Sequence, residues 1–477
     1  MYQDYPGGKI MKVLFCSSEV VPFAKTGGLA DVAGTLPPAL EAAGVQVKII
    51  MPRYKCVDIK KFKLKKLDNE TYTTTIGKNV EIILLEKKSF FDRDGLYQQK
   101  GEDYSDNLER FSYYCMQTLR LIKKLNFKPD IIHCNDWQTG LIPIYLKTIF
   151  KKDPFYKNIK TIFTIHNLGY QGLFPEEEFS LTGLEKEMFS VNGVEFYGKI
   201  NLLKGGLLFA DSISTVSSAY AQEIQSAEFG CGLEGILQKR KKDIIGILNG
   251  INYNEWDPKK NKVLVKNYGP DSIDGKYENK EALQKLGNLK VDRKIPLLGI
   301  ITRLADQKGL DILAEVIKEI VKMPVQFILL GTGDARYHKL FESLSKSYKN
   351  TSIHLKFDAT LAYKIYAGSD IFLMPSYYEP CGLGQLISLN FGTIPLVRKT
   401  GGLADTVEDF DPFTKKGNGF MFSQYQSGAL LETIKRSLCV YNDDKTWNKL
   451  VIRAMKCDFS WGKSAEDYVN LYKSLKS

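Results

Sequence analysis

The sequence lacks the segments that would insert the protein into a membrane or direct it to secretion. No apolar run approaches the ~18 residues that a membrane-spanning helix needs. The first residues, MYQDYPGGKI, lack the apolar core of a secretory signal. The eight cysteines are scattered and include no CxxC pair, which excludes the disulfide framework of a small secreted protein and a cysteine-based zinc site. We therefore expect a cytoplasmic protein with no membrane partner.

Several catalytic motifs are also missing. The four histidines (133, 166, 338 and 354) show no HxxxH or HExxH spacing for zinc, and no GxSxG nucleophile elbow occurs. Residues 331–336 begin as GxGxxG but end in Arg336 where the third glycine belongs. These absences argue against a zinc hydrolase, a serine esterase and a dinucleotide-binding oxidoreductase.

Positively charged residues are in modest excess over negatively charged ones. Lys and Arg number 66 against 55 Asp and Glu, giving a net charge of +11. This excess favours anionic partners such as phosphates, nucleotides or nucleic acid without choosing among them. The basic run at 239–242 is interpreted as solvated surface.

What is present is a regular alternation of short apolar segments and longer amphipathic ones, in two series. The first series predicts strands at 12–16, 45–51, 80–85, 130–133, 161–166, 212–216 and 244–248. The second predicts strands at 297–301, 325–330, 352–355, 371–374 and 394–397. Strands that are apolar nearly throughout are typical of parallel sheets with helices on both faces.

The alternation predicts an α/β fold of two tandem, doubly wound, Rossmann-like domains. We place these domains at 1–250 and 251–460, because the turn-forming pair Asn249-Gly250 separates the two series. The terminal segment, 461–477, is interpreted as a helix that crosses back to the first domain. Such domains bind ligands at the carboxyl ends of their strands, so we expect the site in a cleft between them.

Glycine-rich segments follow predicted strands in both halves. KTGGLADV stands at 25–32, and the hexapeptide TGGLAD recurs at 400–405. A Gly-Gly pair at the start of a helix lets backbone amides approach an anion, and Lys25 adds a full charge beside the first pair. The alternative at either position is a tight strand-to-helix turn.

A third such segment, EPCGLGQL at 379–386, combines two glycines with a carboxylate at Glu379. Arg303 and Lys308 follow another strand within six residues, so both could reach one diphosphate. A carboxylate that accepts hydroxyl protons beside sites for phosphate suits a nucleotide sugar.

Together, KTGGLADV, HNLGYQG at 166–172, ITRLADQKG at 301–309, EPCGLGQL and RKTGGLADT resemble the bacterial glycogen synthase and plant starch synthase family, in family order over about residues 11–475. The resemblance implies a GT-B fold and a retaining glucosyltransferase. Its donor would be ADP-glucose and its acceptor the non-reducing 4-hydroxyl of an α-1,4-glucan. A plastid location would require that a transit peptide has been removed.

The resemblance also implies roles for single residues. Lys25 would bind the donor, Arg303 and Lys308 would neutralise its diphosphate, and Glu379 and His166 would lie beside the transferred glucose. These five form the implied catalytic set. Further substrate contacts are implied at Gly27, Gly28, Asp136, Asn249, Phe357, Cys381, Gly382, Leu383, Gly384 and Thr400, with Asp136 on the acceptor side.

Three positions depart from the family pattern. Gln138 stands where many members have His, Gly384 where Thr or Ser is common, and Phe357 where some bacterial members have a Tyr near the adenine. A phenyl ring can still stack on the base.

No DxD motif follows a strand in the first domain, so we expect no metal and no other cofactor. Nucleic acid is not an expected partner, and the sequence gives no oligomeric state. The alternatives are a UDP-glucose-preferring transferase, a sugar-nucleotide epimerase or glucan phosphorylase relative, and a non-catalytic glucan- or nucleotide-binding relative.

Overall fold

The structure is a computed structural model that describes residues 10–99 and 101–476. The contacts within it divide the chain into two units. Unit 1 comprises the residues up to Gly250 together with those from Trp461 onward, and unit 2 comprises Ile251–Ser460.

Unit 1 is built on a large, mainly parallel sheet, and it also contains short strands that lie outside that sheet. Its strands are β1 (Lys12–Cys16), β2 (Gln46–Pro52), β3 (Lys65–Lys66), β4 (Thr71–Ile76), β5 (Val80–Leu85), β6 (Gln98–Gln99), β7 (Glu102–Asp103), β8 (Ile131–Asn135), β9 (Lys160–Ile165), β10 (Leu173–Pro175), β11 (Glu195–Phe196), β12 (Lys199–Asn201), β13 (Ser212–Thr215) and β14 (Ile244–Gly246). Its helices before the junction are α1 (Gly28–Ala42), α2 (Lys88–Phe91), α3 (Asn107–Lys124), α4 (Leu141–Lys147), α5 (Leu202–Phe209), α6 (Ser218–Glu223) and α7 (Glu234–Lys239).

Among the described residues the main sheet of unit 1 has the strand order β14-β13-β9-β8-β1-β2-β5-β4-β3. Pairing is parallel from β14 to β5 and antiparallel from β5 through β4 to β3. In the register of the central strands, Phe15 lies opposite Ile49 on one side and His133 on the other. The strand order runs outward from β1 in both directions, which is the doubly wound arrangement.

Unit 2 contains a second sheet, which is parallel throughout. Its elements are α8 (Asp274–Leu286), β15 (Leu297–Ile301), α9 (Leu310–Ile320), β16 (Gln326–Leu330), α10 (Ala335–Ser347), β17 (Thr351–His354), α11 (Ala359–Gly368), β18 (Ile371–Met374), α12 (Gly384–Asn390), β19 (Ile394–Arg398), α13 (Gly401–Thr406), β20 (Phe420–Phe422), α14 (Ser427–Tyr441) and α15 (Asp444–Met455). Its strand order is β17-β16-β15-β18-β19-β20. The last helix, α16 (Trp461–Ser474), belongs to unit 1.

The apolar pattern explains why these elements form. In α9, the residues Leu310, Leu313, Ile317 and Ile320 recur every three or four positions and are buried against the sheet of unit 2. The four residues Val13–Cys16 of β1 are buried on both faces of the sheet of unit 1.

The helix α16 is fixed to unit 1 by a buried polar network. Tyr472 hydroxyl lies 2.8 Å from Nδ1 of His133, whose Nε2 lies 2.6 Å from Thr164 Oγ1. Burial lowers the pKa of His133 to about 3, so its ring is neutral at physiological pH. His133 therefore joins two central strands to the last helix.

The predicted core strands occur within one or two residues of their expected bounds, whereas several elements at the sheet edges were not predicted. Strand β4 has the sequence TYTTTI and is half-exposed, so no apolar run marks it. Strand β20 is three residues long. Within residues 10–99 and 101–476, no helix combines the length and apolar character needed to span a membrane.

Candidate active site

In unit 1, the loop after β1 is held together by the buried carboxylate of Glu19. Its Oε2 accepts hydrogen bonds from the backbone amides of Thr26 (2.5 Å) and Gly27 (3.2 Å). Its Oε1 accepts hydrogen bonds from Thr26 Oγ1 (2.6 Å) and the Tyr97 hydroxyl (2.8 Å). The sequence predicts that amides here face an anion. In the structure, the anion at the amides of Thr26 and Gly27 is a carboxylate of the chain itself.

Lys25 lies on the surface of the same loop, beside the start of α1. Its Nζ lies 2.7 Å from Asp31 Oδ1. Burial raises the pKa of Asp31, and the Lys25 ammonium offsets part of that effect. A Cβ at Gly27 or Gly28 would meet no atom within 4 Å, and no side chain of the described residues caps the first turn of α1. An uncapped helix start beside an ammonium favours a negatively charged group.

Asp136 follows β8 directly and has an unusual backbone. Its φ of 53° lies in the left-handed region, and its Oδ1 accepts a hydrogen bond from the backbone amide of His166 at 2.8 Å. Burial raises its pKa to about 7, although the amides of His166 and Asn167 act in the opposite direction. This carboxyl group therefore titrates near neutral pH.

The ring of His166, just after β9, is oriented by Asn135. The Asn135 side chain donates from Nδ2 to the Cys16 carbonyl at 2.9 Å, so its Oδ1 faces His166 Nε2 at 2.9 Å. An amide oxygen only accepts, and His166 Nε2 must therefore carry the proton. Burial lowers the pKa of His166 to about 3, which leaves the imidazole neutral with its lone pair on Nδ1.

Two further positions singled out from the sequence, Asn249 and Gln138, have buried side chains in unit 1. Asn249 Oδ1 and Gln138 Oε1 have no hydrogen-bond partner among the described residues. Buried polar atoms are normally paired, so each position is suited to a hydroxyl or water donor.

In unit 2, Lys308 and Glu379 form a close ion pair. Lys308 Nζ lies 3.0 Å from Glu379 Oε1 and 2.7 Å from Oε2. Ser376 Oγ also donates to Oε2 at 3.1 Å. The side chain of Glu379 is 8% exposed and that of Lys308 18%. Removing either partner would leave the other charge poorly solvated.

A glycine makes this pair possible. Gly309 follows Lys308 with φ 70°, and a Cβ there would lie 1.9 Å from the Pro375 carbonyl. Only glycine allows the turn after β15 to approach the segment after β18 this closely. Arg303, on the same turn, is exposed and donates to Gln307 Oε1 at 3.2 Å.

The segment 379–386 forms a sharp bend before α12. Gly382 has φ 74°, and a Cβ there would lie 2.4 Å from Gln385 Oε1. Cys381 is buried, and Leu383 immediately precedes α12. At Gly384, a Cβ would lie 3.1 Å from the Phe372 ring, so the glycine at this position leaves room for that ring.

The second TGGLAD segment packs directly beneath this bend. The amide of Gly402 donates to the carbonyls of Glu379 (3.1 Å) and Pro380 (3.2 Å). A Cβ at Gly401 would lie 2.1 Å from the Glu379 carbonyl, and one at Gly402 would lie 2.0 Å from the Cys381 carbonyl. Thr400 is fully buried. The segment therefore supports the backbone that carries Glu379.

Phe357 stands apart from these contacts. It follows β17, and 88% of its surface is exposed. A cluster of three or more His, Cys, Asp or Glu side chains that could hold a metal ion does not occur within residues 10–99 and 101–476.

Sequence reasoning missed four residues that organise these sites. Glu19 and Tyr97 hold the Lys25 loop, Asn135 orients His166, and Ser376 supports Glu379. Glu19, Asn135 and Ser376 lie at or just after the carboxyl end of a parallel strand, the rule that identified Lys25. Tyr97 lies in a loop with no such signal.

Comparisons with known proteins show which family this chain belongs to. Residues 12–239 match the family described as the starch synthase catalytic domain, and residues 284–453 match glycosyl transferases group 1. The glycogen synthase of Thermosipho melanesiensis is 48% identical over 98% of this chain and 99% of its own length. The glycogen synthase of Thermotoga maritima is 45% identical over 97% and 98%.

Solved structures extend the comparison. The catalytic domain of starch synthase IV from Arabidopsis thaliana, determined bound to ADP and acarbose, has a TM-score of 0.90 at 34% identity, covering 98% of this chain and 100% of that one. Sucrose-phosphate synthase from Thermosynechococcus elongatus has a TM-score of 0.61 at 18% identity, covering 98% and 99%, and shares the fold alone. The fold is therefore GT-B, as expected from the sequence. This chain belongs to the glycogen and starch synthase family of glycosyltransferases.

Proposed function

We propose that this enzyme transfers glucose from ADP-glucose to the 4-hydroxyl at the non-reducing end of an α-1,4-glucan, with retention at the anomeric carbon and without a metal. The observation that carries the proposal is the ion pair between Lys308 and Glu379, with Arg303 on the same turn. A cation beside a carboxylate is what a diphosphate and neighbouring sugar hydroxyls would need, which supports the proposal. The related starch synthase IV was determined with ADP and a sugar, acarbose, bound.

The reaction requires stabilisation of the leaving group. The bond between the anomeric carbon and the diphosphate breaks, and negative charge grows on the diphosphate. Preorganised positive charge is usually the largest catalytic contribution in such steps. Arg303 supplies a planar guanidinium and Lys308 an ammonium, and the family resemblance implies Lys25 as a further cation for the donor.

The sugar is recognised by groups that accept hydrogen bonds. Glu379 retains acceptor capacity beyond its contacts with Lys308 and Ser376, because a carboxylate has about four lone-pair positions. The neutral His166 presents Nδ1 as an acceptor, since its Nε2 proton is directed at Asn135. Asp136, Asn249 and Gln138 supply polar groups for the glucan.

Retention follows from attack on the same face that the diphosphate leaves. The acceptor oxygen forms its bond to the anomeric carbon while its proton passes to an oxygen of the departing diphosphate, so no protein base is needed. A double displacement would need a carboxylate nucleophile on the opposite face of the sugar. We favour same-face attack because the carboxylate of Glu379 is already engaged in an ion pair with Lys308.

A donor competition assay tests the proposal. Purified enzyme is given equal concentrations of ADP-glucose and UDP-glucose, with glycogen as acceptor, and both nucleoside diphosphates are measured. We expect a higher kcat/KM for ADP-glucose and slow but measurable use of UDP-glucose, because stacking on Phe357 tolerates either base. A higher kcat/KM for UDP-glucose would contradict the ADP assignment, and no glucan extension from either donor would contradict transferase activity.

Two further measurements test the mechanism. We expect activity to persist in excess EDTA, and loss of activity that Mg²⁺ or Mn²⁺ restores would contradict a metal-free reaction. Proton NMR of the new linkage distinguishes the stereochemistry, because α-linked product from α-linked donor requires retention.

A further inference from the structure

We propose that Glu19 is a positioning residue for the donor site. Its carboxylate fixes the loop at 19–27 so that Lys25 meets the nucleotide sugar. The inference rests on the proposed function, since it takes Lys25 as a donor contact. It adds a residue whose effect on the reaction is transmitted through the loop.

Glu19 is built into the loop as an acceptor for four donors. Each carboxylate oxygen accepts two hydrogen bonds, from the Thr26 and Gly27 amides on one oxygen and from the Thr26 and Tyr97 hydroxyls on the other. Among the described residues, no lysine or arginine forms an ion pair with this carboxylate. Glu19 is 4% exposed, so its charge is stabilised by these hydrogen bonds.

The four partners of Glu19 differ in what they can accept. The backbone amides of Thr26 and Gly27 can only donate, so an oxygen atom must face them. The hydroxyls of Thr26 and Tyr97 can donate or accept, so a glutamine could keep these contacts by turning its NH₂ group toward them. An alanine at this position would leave all four groups without their partner.

Backbone contacts fix the other side of Lys25. The amide of Val20 donates to the Ala24 carbonyl at 3.1 Å, and the amide of Ala24 donates back to Val20 at 3.0 Å. The amide of Val21 donates to the Ala30 carbonyl of α1 at 3.1 Å. Lys25 thus lies between Ala24, held by backbone bonds, and Thr26, held by Glu19. Loss of the Glu19 contacts frees the side of the loop that leads into α1.

Tyr97 extends the network to a second segment of unit 1. An ionised carboxylate cannot donate, so the Tyr97 hydroxyl donates to Glu19 and accepts from Ser18 Oγ at 2.7 Å. The Tyr97 ring lies 5.8 Å from that of Phe111 and 6.3 Å from that of Trp137. The position of Glu19 is therefore set by packed aromatic rings as well as by its own loop.

A double-mutant cycle tests the coupling between Glu19 and Lys25. Glu19→Ala, Lys25→Ala and the double variant are compared with the unaltered enzyme in kcat and in KM for ADP-glucose and for glycogen, with Glu19→Gln as the conservative variant. We expect Glu19→Ala to lower kcat/KM for the donor about tenfold, with KM for glycogen unchanged, and Glu19→Gln to restore most of that loss. The double variant should match Lys25→Ala within about twofold, because the loop no longer has a lysine to position.

A matched pair of hydroxyl deletions serves as the control. Tyr97→Phe removes one donor from Glu19, and we expect donor kcat/KM to fall about threefold. Tyr114→Phe removes a buried hydroxyl that bonds the carbonyls of Ser17 (3.1 Å) and Ile50 (2.8 Å), near the same strand end but outside the loop. We expect it to change the unfolding midpoint without changing donor kinetics.

The outcomes separate this inference from the proposed function. Losses that multiply in the double variant, or equal effects of Glu19→Ala on donor and glycogen KM, would overturn the positioning role. The same cycle is also measured as ADP affinity by calorimetry, which requires no transfer. If neither the unaltered enzyme nor any of the variants transfers glucose, the proposed function fails. The inference then holds only if ADP binding shows the same non-additivity, and is overturned if it does not.

Discussion

The heptapeptide KTGGLAD occurs twice, at 25–31 and at 399–405, in two very different environments. In the first copy, Thr26 and Gly28 are exposed, and a Cβ on either glycine would meet no atom within 4 Å. In the second copy, Thr400, Gly401 and Gly402 are buried, and a Cβ on either glycine would overlap a backbone carbonyl at about 2 Å. Identical local sequence therefore produces an open surface in one unit and a close-packed support in the other.

The two copies also differ in backbone conformation and in what holds them. Gly27 is extended, with φ −146°, and its amide bonds the carboxylate of Glu19. Gly401 is left-handed, with φ 42°, and the next amide bonds the carbonyls of Glu379 and Pro380. The contact with the Glu19 carboxylate leaves the first copy at the surface. The contacts with the carbonyls of Glu379 and Pro380 hold the second copy against a neighbouring backbone segment.

The comparison shows what the glycines do in each place. In the second copy they are required by the close approach of two backbones. In the first copy no contact among the described residues requires them, and we propose that the space around them admits the donor. On this proposal, one copy supports the framework and the other binds the ligand.

The largest expected effect comes from adding a methyl group to each copy. Gly402→Ala places a Cβ 2.0 Å from the Cys381 carbonyl, and we expect a loss of more than about 4 kcal/mol in the free energy of unfolding. Gly28→Ala meets no atom and should change it by less than about 0.5 kcal/mol. Urea unfolding of both variants measures the difference. Equal losses would mean that the copies are packed alike.

The next effect concerns the ion pair that the second copy supports. Lys308→Ala removes the partner of the buried Glu379 carboxylate and a cation for the diphosphate. We expect kcat to fall about 10²–10³-fold, because leaving-group charge is greatest in the transition state. Lys318→Ala, an exposed lysine of α9, is the control for loss of one charge. A rise in KM with kcat intact would assign Lys308 to binding alone.

Lys25 and Lys399, the first residues of the two copies, test directly whether only the first copy binds the donor. We expect Lys25→Ala to lower kcat/KM for ADP-glucose about 10–100-fold, the cost of one charged hydrogen bond to phosphate. Lys399 occupies the same place in the second copy and is exposed. We expect Lys399→Ala to leave kcat/KM within about twofold. Equal losses in steady-state kinetics would contradict the assignment of the first copy alone to the donor.

The smallest expected effect is a change in the pH dependence of the free energy of unfolding when Asp136 of unit 1 is replaced. Burial raises the pKa of Asp136 from 3.8 to about 7, so the folded state holds this proton more tightly than the unfolded chain does. Stability contributed at Asp136 is therefore lost as pH rises from about 4 to about 7. Asp136→Asn should remove about 1–2 kcal/mol of that pH dependence, allowing for partial exposure.

Urea unfolding at pH 5 and pH 7.5 checks this effect, with the unaltered enzyme measured in parallel. We expect the unaltered enzyme to lose more stability between the two pH values than the variant. The same slope in both proteins would show that Asp136 is ionised throughout this range.

The sequence predicted the central strands and the fold class well, because those features depend on apolar runs. Strands β1 and β18 are buried nearly throughout, and such runs are visible without a structure. The threonine-rich strand β4 was missed because its partly exposed, polar residues carry no apolar signal. A strand of this kind is formed by pairing with its neighbours, here β5 and β3, which sequence patterns do not record.

The sequence pointed to the charged residues of the candidate site, but it did not reveal the residues that hold them in place. Arg303, Lys308 and Glu379 were identified because charged groups followed buried strands. The ion pair between Lys308 and Glu379 depends on the approach of Gly309 to Pro375, which lies 66 positions further along the chain. Tyr97 is tied to Glu19 across 78 residues of chain, which no spacing rule reveals.

The sequence by itself determined the two-domain α/β fold and the family, because buried strands and ordered motifs are written locally along the chain. Only the tertiary structure decided which copy of KTGGLAD is open and which is packed. The reason is physical: the open copy is held by a side-chain carboxylate, and the packed copy by backbone carbonyls of the segment that follows β18. Neither partner lies within the repeated residues, so identical sequence could not distinguish them.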